Sequence, residues 1–222
     1  SKTGIGGNWG TFINNKKITK CDLTGVTDWG RTPTLPDAAF SNCTALQEVT
    51  LPDDMKVIGT GAFFGCAALT TVNLSQVTWI NLNAFWGCIS LETLALDNVT
   101  AIGQEAFYGC TGLETLKIPK CTEFGTYIVS GCRSLTRIEA TAAGNFVDIS
   151  DGRSSIERTA VFHNRDSHYG DSAFNPAKCD LVLNADKKQG GNATPKVFSD
   201  NEWLMMPNGQ LMRWNSITFA QQ

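Results

Sequence analysis

The stretch "NAFWGC" at 83–88 decides the fold because it does not stand alone. The same pattern precedes it as "GAFFGC" at 61–66 and follows it as "EAFYGC" at 105–110. In each copy a Phe stands three residues before a Cys, and a different aromatic residue follows the Phe. A group that performs chemistry usually occurs once, whereas a pattern repeated at a fixed interval is typical of a scaffold.

The cysteines set the interval of the repeat. Five of them are spaced 22 or 23 residues apart, at Cys43, Cys66, Cys88, Cys110 and Cys132. A leucine follows each by three residues, at Leu46, Leu69, Leu91, Leu113 and Leu135. Self-similarity at a period of roughly 20 to 50 residues predicts a solenoid, in which each coil buries its apolar residues against its neighbours.

Each copy reads A-F-x-x-C-x-x-L-x-x-L-x-L, followed by a turn and a second apolar pair. The x-L-x-L segment alternates apolar and polar residues, which is strand periodicity. Such a strand has no hairpin partner, so we expect it to pair with its own copy one coil along, in a parallel ladder of about 4.8 Å per step. The Phe then faces inward. The glycine before each Cys, such as Gly87, predicts a tight turn with positive φ, and Asn42 replaces it in the first copy.

The repeats at 62–81, 84–103 and 106–125 read "AFFGCAALTTVNLSQVTWIN", "AFWGCISLETLALDNVTAIG" and "AFYGCTGLETLKIPKCTEFG". This pattern resembles the BspA-like, treponemal-type leucine-rich repeat family, and the resemblance covers at least 39–140. It implies an α/β, β-rich leucine-rich repeat solenoid. The resemblance further implies a right-handed coil with one parallel sheet face, short turns or 3-10 pieces on the other sides, and a cap at each end.

The sequence predicts one structural domain with four parts. They are an N-terminal cover at 1–17, the repeats at 18–140 (a degenerate first coil plus about five copies), an irregular insertion at 141–171, and a half-repeat with a C-terminal cap at 172–222. In the degenerate coil we expect Trp29 to occupy the column of Ile80. The segment "RTPTLP" at 31–36 then reads as an insertion of about six residues.

Composition narrows the classes of partner. A net charge of −3 with 18% charged residues argues against nucleic acid or an anionic membrane as a default partner. No run of 18 apolar residues predicts a membrane span. The resemblance implies an extracellular or cell-surface location, so we expect a signal peptide to have been removed ahead of Ser1. We expect a monomer.

The chain has eight cysteines, and the repeat accounts for most of them. Ladder cysteines one coil apart would have parallel Cβ vectors, whereas a disulfide needs them to converge, so we expect free thiols. No C-x-x-C spacing indicates zinc. We expect no cofactor and no metal.

The outward residues of the long sheet form the first candidate binding site. Alternation points two columns of polar, Thr-rich side chains away from the core. The candidates among them are Thr71, Asn73, Thr93, Thr115, Lys117 and Arg137. Solenoids commonly bind partners on such a surface. The alternative interpretation is a solvated sheet in which Thr is frequent because it suits strands.

The aromatic residues after each Phe form the second candidate site. Phe64, Trp86 and Tyr108 would stack at ladder spacing into one stripe, which could bind a sugar ring or a partner protein. The alternative is that these rings only cover one another and shield the turn.

No catalytic constellation can be assembled from the sequence. Both histidines, His163 and His168, lie in the segment "HNRDSHYGD", which has residue types suited to a metal but no recognised spacing and reads as a loop. The resemblance implies a non-enzymatic surface or secreted module that binds a host or bacterial protein, in the manner of an adhesin. A glycan-binding module that uses the stripe is the alternative, and an enzyme built on 141–171 is a third hypothesis.

Overall fold

A computed structural model describes residues 12–29, 32–141, 174–184, 202–205 and 211–220. Numbered along the chain, the strands are β1 (Lys20–Asp22), β2 (Thr34–Leu35), β3 (Glu48–Thr50), β4 (Val57–Ile58), β5 (Thr71–Val72), β6 (Trp79–Ile80), β7 (Thr93–Ala95), β8 (Ala101–Ile102), β9 (Thr115–Lys117), β10 (Glu123–Phe124), β11 (Arg137–Ala140), β12 (Asp180–Asn184), β13 (Glu202–Met205), β14 (Leu211–Arg213) and β15 (Ser216–Ala220). A short 3-10 helix spans Pro176–Lys178. The described chain is therefore a coil of short strands and turns.

The x-L-x-L segments form the first ladder. Its strands pair in parallel in the orders β1-β3-β5 and β7-β9-β11-β12-β15. Strands β5 and β7 come from successive coils, but they belong to separate hydrogen-bonded sheets. Leu94, Leu116, Ile138 and Leu181 lie in register on the inner side. The predicted parallel sheet of a leucine-rich repeat solenoid is confirmed.

A second parallel ladder runs along the coil where the sequence predicted only turns and short 3-10 pieces. Its order is β10-β8-β6-β4-β2, and each strand contains two residues. Ile58, Ile80 and Ile102 form its buried column. A strand of two residues is too short to show alternation of apolar and polar residues. The repeat pattern therefore revealed the second apolar pair of each coil but did not indicate that it contains a strand.

The first coil differs from the sequence interpretation in one column. Leu35, rather than Trp29, pairs with Ile58 and fills the column of Ile80. Leu35 is 1% exposed, whereas Trp29 is half-buried and packs at the side of the core. From Leu35 the chain reaches Phe40 in five residues, as it does from Ile58 to Phe63. The extra residues therefore precede Leu35, and the placement of Trp29 in this column was wrong.

A stack of buried phenylalanine rings runs through the core. Neighbouring ring centroids are 5.1 Å (Phe12–Phe40), 5.5 Å (Phe40–Phe63), 5.1 Å (Phe63–Phe85) and 5.7 Å (Phe85–Phe107) apart, with interplanar angles of 16° or less. The inward orientation predicted for the Phe column is confirmed, because Phe63, Phe85 and Phe107 have no exposed surface. Phe12, which the sequence analysis placed in a separate cover, is the first ring of the stack.

The constant spacing between Phe and Cys in successive coils has a hydrogen-bonding reason. Each ladder thiol donates to the backbone carbonyl of the Phe one coil earlier, as in Cys88 Sγ to Phe63 O (3.1 Å) and Cys110 Sγ to Phe85 O (3.0 Å). Cysteine suits this position because it packs as a small hydrophobe and still offers a weak donor. All eight cysteines are free thiols, as the sequence predicted for the ladder.

Two columns of residues adopt left-handed backbone conformations. The glycine before each Cys has a positive φ (71° at Gly87), and Asn42 in the first copy has a φ of 55°, so the predicted tight turn is confirmed. A second column, four residues earlier in each coil, is also left-handed and was not predicted. It contains Ala38, Gly61, Asn83, Glu105 and Tyr127. Since four of these five are not glycine, composition gave no sign of the turn.

Candidate binding faces

The outward threonines of the first ladder lie in rows across successive coils. Thr93 pairs with Thr115, and Thr115 pairs with Arg137. Thr71 pairs with Glu48 on the neighbouring three-stranded sheet. Thr71 and Thr93 are exposed, and Thr115 is half-buried. The structure therefore presents short, uncharged side chains along the middle of the outward face, which we call the threonine face.

A network of charges lies at the C-terminal end of the threonine face. Glu139 accepts from Arg137 Nε at 2.7 Å, and Lys117 Nζ lies 3.3 Å from its other oxygen. Partial burial raises the pKa of Glu139, but the hydrogen bonds from Arg137 and Lys117 outweigh it and hold the pKa below its usual range. The two cations thus share one carboxylate.

Beyond this network the face continues onto β12 and β15, which the sequence analysis did not include. Asp180 lies beside Arg137 in register. Its carboxylate accepts from Ser216 Oγ at 2.6 Å and from Asn215 Nδ2 at 2.7 Å. These two hydrogen bonds lower the pKa of Asp180. A single repeat alignment could not bring Asp180 and Ser216 together, because they lie 36 residues apart.

Asn73 is already engaged within the fold. Its side-chain oxygen accepts from Leu51 N at 2.6 Å, and its side-chain nitrogen donates to Leu51 O at 2.9 Å. These two bonds join neighbouring coils at Leu51, directly after the last residue of β3. A partner would have to break them to use the amide, so the argument below relies on the threonines and the cations.

The second candidate site, the aromatic stripe, is a continuous stack of three rings. Phe64 and Trp86 have centroids 4.5 Å apart with an interplanar angle of 5°. Trp86 and Tyr108 are 5.2 Å apart with an angle of 1°. All three side chains are half-buried. Because Trp86 has a ring against each face, a sugar cannot stack on it, and only its edge is open to a ligand.

Four large apolar side chains that are exposed in the described part of the chain lie outside both candidate sites, and three of them follow one another closely along the chain, while the fourth is Ile13. Trp79, Leu82 and Ile89 are 50%, 40% and 49% exposed. Trp79 points outward from β6, in the second ladder. The sequence analysis missed these residues because it followed only the outward columns of the long sheet. Writing the coils one above another would have revealed them, because other coils place polar residues such as Glu123, Gln104 and Thr111 in the same three columns.

Other classes of site are not visible in the described part of the chain. Its residues include no group of three or more His, Cys, Asp or Glu side chains that could hold a metal ion. They also contain no helix long and apolar enough to cross a membrane. His163, His168 and the rest of the predicted insertion from 142 onward lie outside the described residues.

The repeats can now be compared with known proteins. The family model described as "BspA type Leucine rich repeat region" matches residues 11–151 in six copies. The chain belongs to the BspA-type leucine-rich repeat family. The match begins beside Phe12, the first ring of the core stack, and ends shortly after β11. It agrees with the ladders and columns described above, so the predicted family is confirmed.

Three solved structures of leucine-rich repeat proteins are similar to the chain. A leucine-rich repeat protein from T. pallidum matches with 24% identity and a TM-score of 0.51, over 58% of this chain and 67% of that one. A leucine-rich repeat protein from Bacteroides ovatus matches with 26% identity and a TM-score of 0.43, over 60% of this chain and 34% of that one.

A leucine-rich cell surface protein from Faecalibacterium prausnitzii matches with 30% identity and a TM-score of 0.42, over 60% of this chain and 41% of that one. The match thus spans less than half the length of the B. ovatus and F. prausnitzii chains. A search of curated proteins finds no significant relative. The T. pallidum match supports the fold alone, and the family membership is consistent with a protein-interaction module.

Proposed function

We propose that this BspA-type repeat protein is a non-enzymatic, adhesion-type binding module at the bacterial surface or in the surrounding medium. It binds a host or bacterial protein through the threonine face. The observation that carries the proposal is the run of short, uncharged threonines on the central coils: Thr93 and Thr115 are paired in register, and Thr71 and Thr93 are exposed. These side chains are short, so a partner can approach the sheet closely without desolvating a charge there.

A partner must span several coils to bind by this face. Each coil contributes only two outward side chains per strand, and coils succeed one another at about 4.8 Å. Affinity is therefore distributed along the solenoid, as in other repeat proteins that bind through an extended surface. The central coils that carry Thr71, Thr93 and Thr115 are the middle of the proposed contact.

The charged end of the face gives the partner an orientation. Lys117 and Arg137 share Glu139, and Asp180 lies beside Arg137, so the four charges sum to zero. The side chains of Lys117 and Arg137 are 57% and 45% exposed, whereas that of Glu139 is 21% exposed, so the cations are the more accessible charges of the salt-bridged group. A partner with an acidic residue at the matching position would be favoured in one direction along the face. At the opposite end of the first ladder, Lys20 Nζ lies 2.7 Å from Glu48 Oε2, and this exposed ion pair has no net charge.

Glycan binding at the aromatic stripe is the second candidate function. The half-buried edges of Phe64, Trp86 and Tyr108 support it because they line up across three coils. The closed faces of Trp86 disfavour it, because sugars are held mainly by stacking on an open ring face. The third hypothesis, an enzyme built on 141–171, concerns a segment of which all but Thr141 lies outside the described part of the chain.

One pair of variants separates the threonine face from the stripe. Against a panel of immobilised extracellular-matrix proteins and surface glycans, Thr93→Arg is expected to weaken binding about tenfold or more by its bulk. Trp86→Ala should leave binding unchanged. Thr44→Arg is the matched control, because it adds the same side chain at an exposed position outside the first ladder. Dissociation constants for the four proteins measure the effect.

The opposite pattern would transfer the function to another site. Loss of binding in Trp86→Ala, with Thr93→Arg silent, would assign it to the aromatic stripe. If neither variant alters binding while deletion of 145–170 abolishes it, the insertion is the functional element and the threonine face is not.

A further inference from the structure

The first ladder is interrupted in the middle of the threonine face. Strands β5 and β7 come from successive coils but lie in separate sheets, and we call the space between them the ladder gap. At other boundaries the residue after the repeat leucine donates its N–H to the coil before it, as in Thr70 N to Gln47 O (2.9 Å), Glu114 N to Glu92 O (3.1 Å) and Thr136 N to Glu114 O (2.9 Å). Within the described residues, the equivalent bond from Glu92 to Thr70 is missing.

The core is more accessible at the ladder gap than elsewhere along the first ladder. The inner side chains that flank the gap, Val72 and Leu94, are 9% and 7% exposed. In the same column Val49 is 1% exposed, and Leu116 and Ile138 have no exposed surface. The loss of burial and the missing hydrogen bond are separate observations, and both lie at the same boundary. The gap is therefore a physical opening in the sheet.

The same two coils are joined on their other sides. In the second ladder Trp79 pairs with Ala101 in register. In the core the rings of Phe63 and Phe85 stack 5.1 Å apart, and Cys88 Sγ donates to Phe63 O at 3.1 Å. The boundary is thus closed along the second ladder and the phenylalanine stack, and open along the first ladder. Two packed bodies that are joined along one side and separated along the other have the geometry of a hinge.

Side-chain hydrogen bonds fasten the two edges of the ladder gap differently. Before the gap, the two bonds between Asn73 and Leu51 tie β5 to the preceding coil. Across the gap, one hydrogen bond joins the described residues of the two edges, from Asn98 Nδ2 to Ser75 O at 2.7 Å, and it is exposed. The other end of the Asn98 amide accepts from Lys120 Nζ, in the coil after the gap. Water can replace a single exposed hydrogen bond at little cost, so this contact can open and close.

We propose that the ladder gap is a hinge of the solenoid, which bends about the second ladder, and that Asn98 latches its closed form through Ser75. Thr71 and Thr93 lie on opposite sides of the gap, so bending changes the curvature of the threonine face. An unbroken ladder resists such bending because several main-chain bonds would have to break together, and here those bonds are missing. The hinge belongs to the scaffold and does not depend on what the threonine face binds.

Methyl relaxation-dispersion NMR of the free protein tests the hinge, because collective hinge motions occur on the microsecond-to-millisecond timescale that this method detects. The methyl groups of Val72 and Leu94 should show exchange between two environments. Those of Val49 and Leu116, in the same inner column where the ladder is intact, should show none. Their different response would locate the motion at the ladder gap.

The latch has a nearly isosteric variant. Asn98→Asp removes the donor to Ser75 but keeps the size of the side chain and an acceptor for Lys120. It should enlarge the open population at Val72 and Leu94 about two- to tenfold, the effect of one hydrogen bond on an equilibrium. Thr136→Val is the matched control, because it removes an exposed bond to Glu114 O (3.3 Å) at a boundary where the ladder is intact. It should leave the exchange unchanged.

The outcomes that would contradict the hinge are distinct. Flat dispersion profiles at Val72 and Leu94 would show that the gap is static and would overturn the proposal. Equal dispersion along the whole inner column would also overturn it, since the motion would then belong to the entire solenoid. Wild-type dispersion in Asn98→Asp would contradict the latch. Because the free protein is measured without a partner, this test can fail independently of the proposed function.

Discussion

Phe85→Ala is expected to destabilise the protein by roughly 3–5 kcal/mol, the usual cost of removing a fully buried aromatic ring. Phe85 has no exposed surface and lies between Phe63 and Phe107 at centroid distances of 5.1 and 5.7 Å. The truncation therefore leaves a cavity in the middle of the stack and removes both ring contacts. Urea denaturation at neutral pH measures the change in the free energy of unfolding.

Trp86→Ala is the matched control for this prediction. Trp86 is the next residue, and its substitution also removes two stacked ring contacts. Because the side chain is half-buried, water can fill part of the space that it leaves. We expect it to cost about 1–2 kcal/mol, mainly the two ring contacts. Equal destabilisation by the two substitutions would contradict the assignment of one ring to the core and the other to the surface.

Alkaline pH is expected to unfold the protein steeply, because the fold holds its buried thiols in the neutral form. Burial raises the pKa of Cys66, Cys110, Cys121 and Cys179 to about 12, and raises those of Cys88 and Cys132 well above the ordinary value of 9.0. Unfolding returns these pKa values to about 9. Above that pH the unfolded chain holds fewer protons than the folded one, so stability falls as pH rises.

The expected loss is large. Each of the six thiols contributes about 1.4 kcal/mol per pH unit between the unfolded and folded pKa values, or about 8 kcal/mol per unit together. A domain of ordinary stability, about 5–15 kcal/mol, should then unfold within roughly one to two pH units above 9. Circular dichroism of the protein under reducing conditions, from pH 7 to 11, measures the transition.

A double variant and a thiol count control the alkaline prediction. Cys88→Ala with Cys110→Ala removes two of the six groups and should reduce the slope of stability against pH by about a third. The denatured protein should contain eight reactive thiols, and in the native protein the half-buried Cys21 should react first. A stability that does not change up to pH 10 would show that the thiols are not held neutral by the fold.

The repeat made most of the scaffold predictable from the sequence. Phe85, Cys88 and Leu94 could be assigned to the core because each recurs at the same place in several coils, and a period needs no knowledge of tertiary contacts. The left-handed turn at Gly87 followed from glycine's conformational freedom in the same way. Family membership rested on these columns together.

Features that depend on one coil alone were not predictable in this way. Phe12 was not assigned to the core from the sequence because Asn15 stands where Cys is expected. Counting back six residues from Ile18 would have found Phe12. Leu35 was not assigned to its column because the sequence did not decide whether the inserted residues come before or after Leu35. The bond between Asn73 and Leu51 and the sharing of Glu139 by Lys117 and Arg137 depend on side-chain geometry, which no column records.

Hydrogen–deuterium exchange of the wild-type protein, alone and bound to the partner that the panel identifies, tests the proposed binding face most directly. We expect slower exchange in the complex for peptides that contain β7, β9 and β11, three strands that span successive coils. Peptides at 84–90, which carry Trp86, should exchange at the same rate in both states. Protection confined to 84–90, or to 145–170, with none on the three strands would contradict binding through the threonine face.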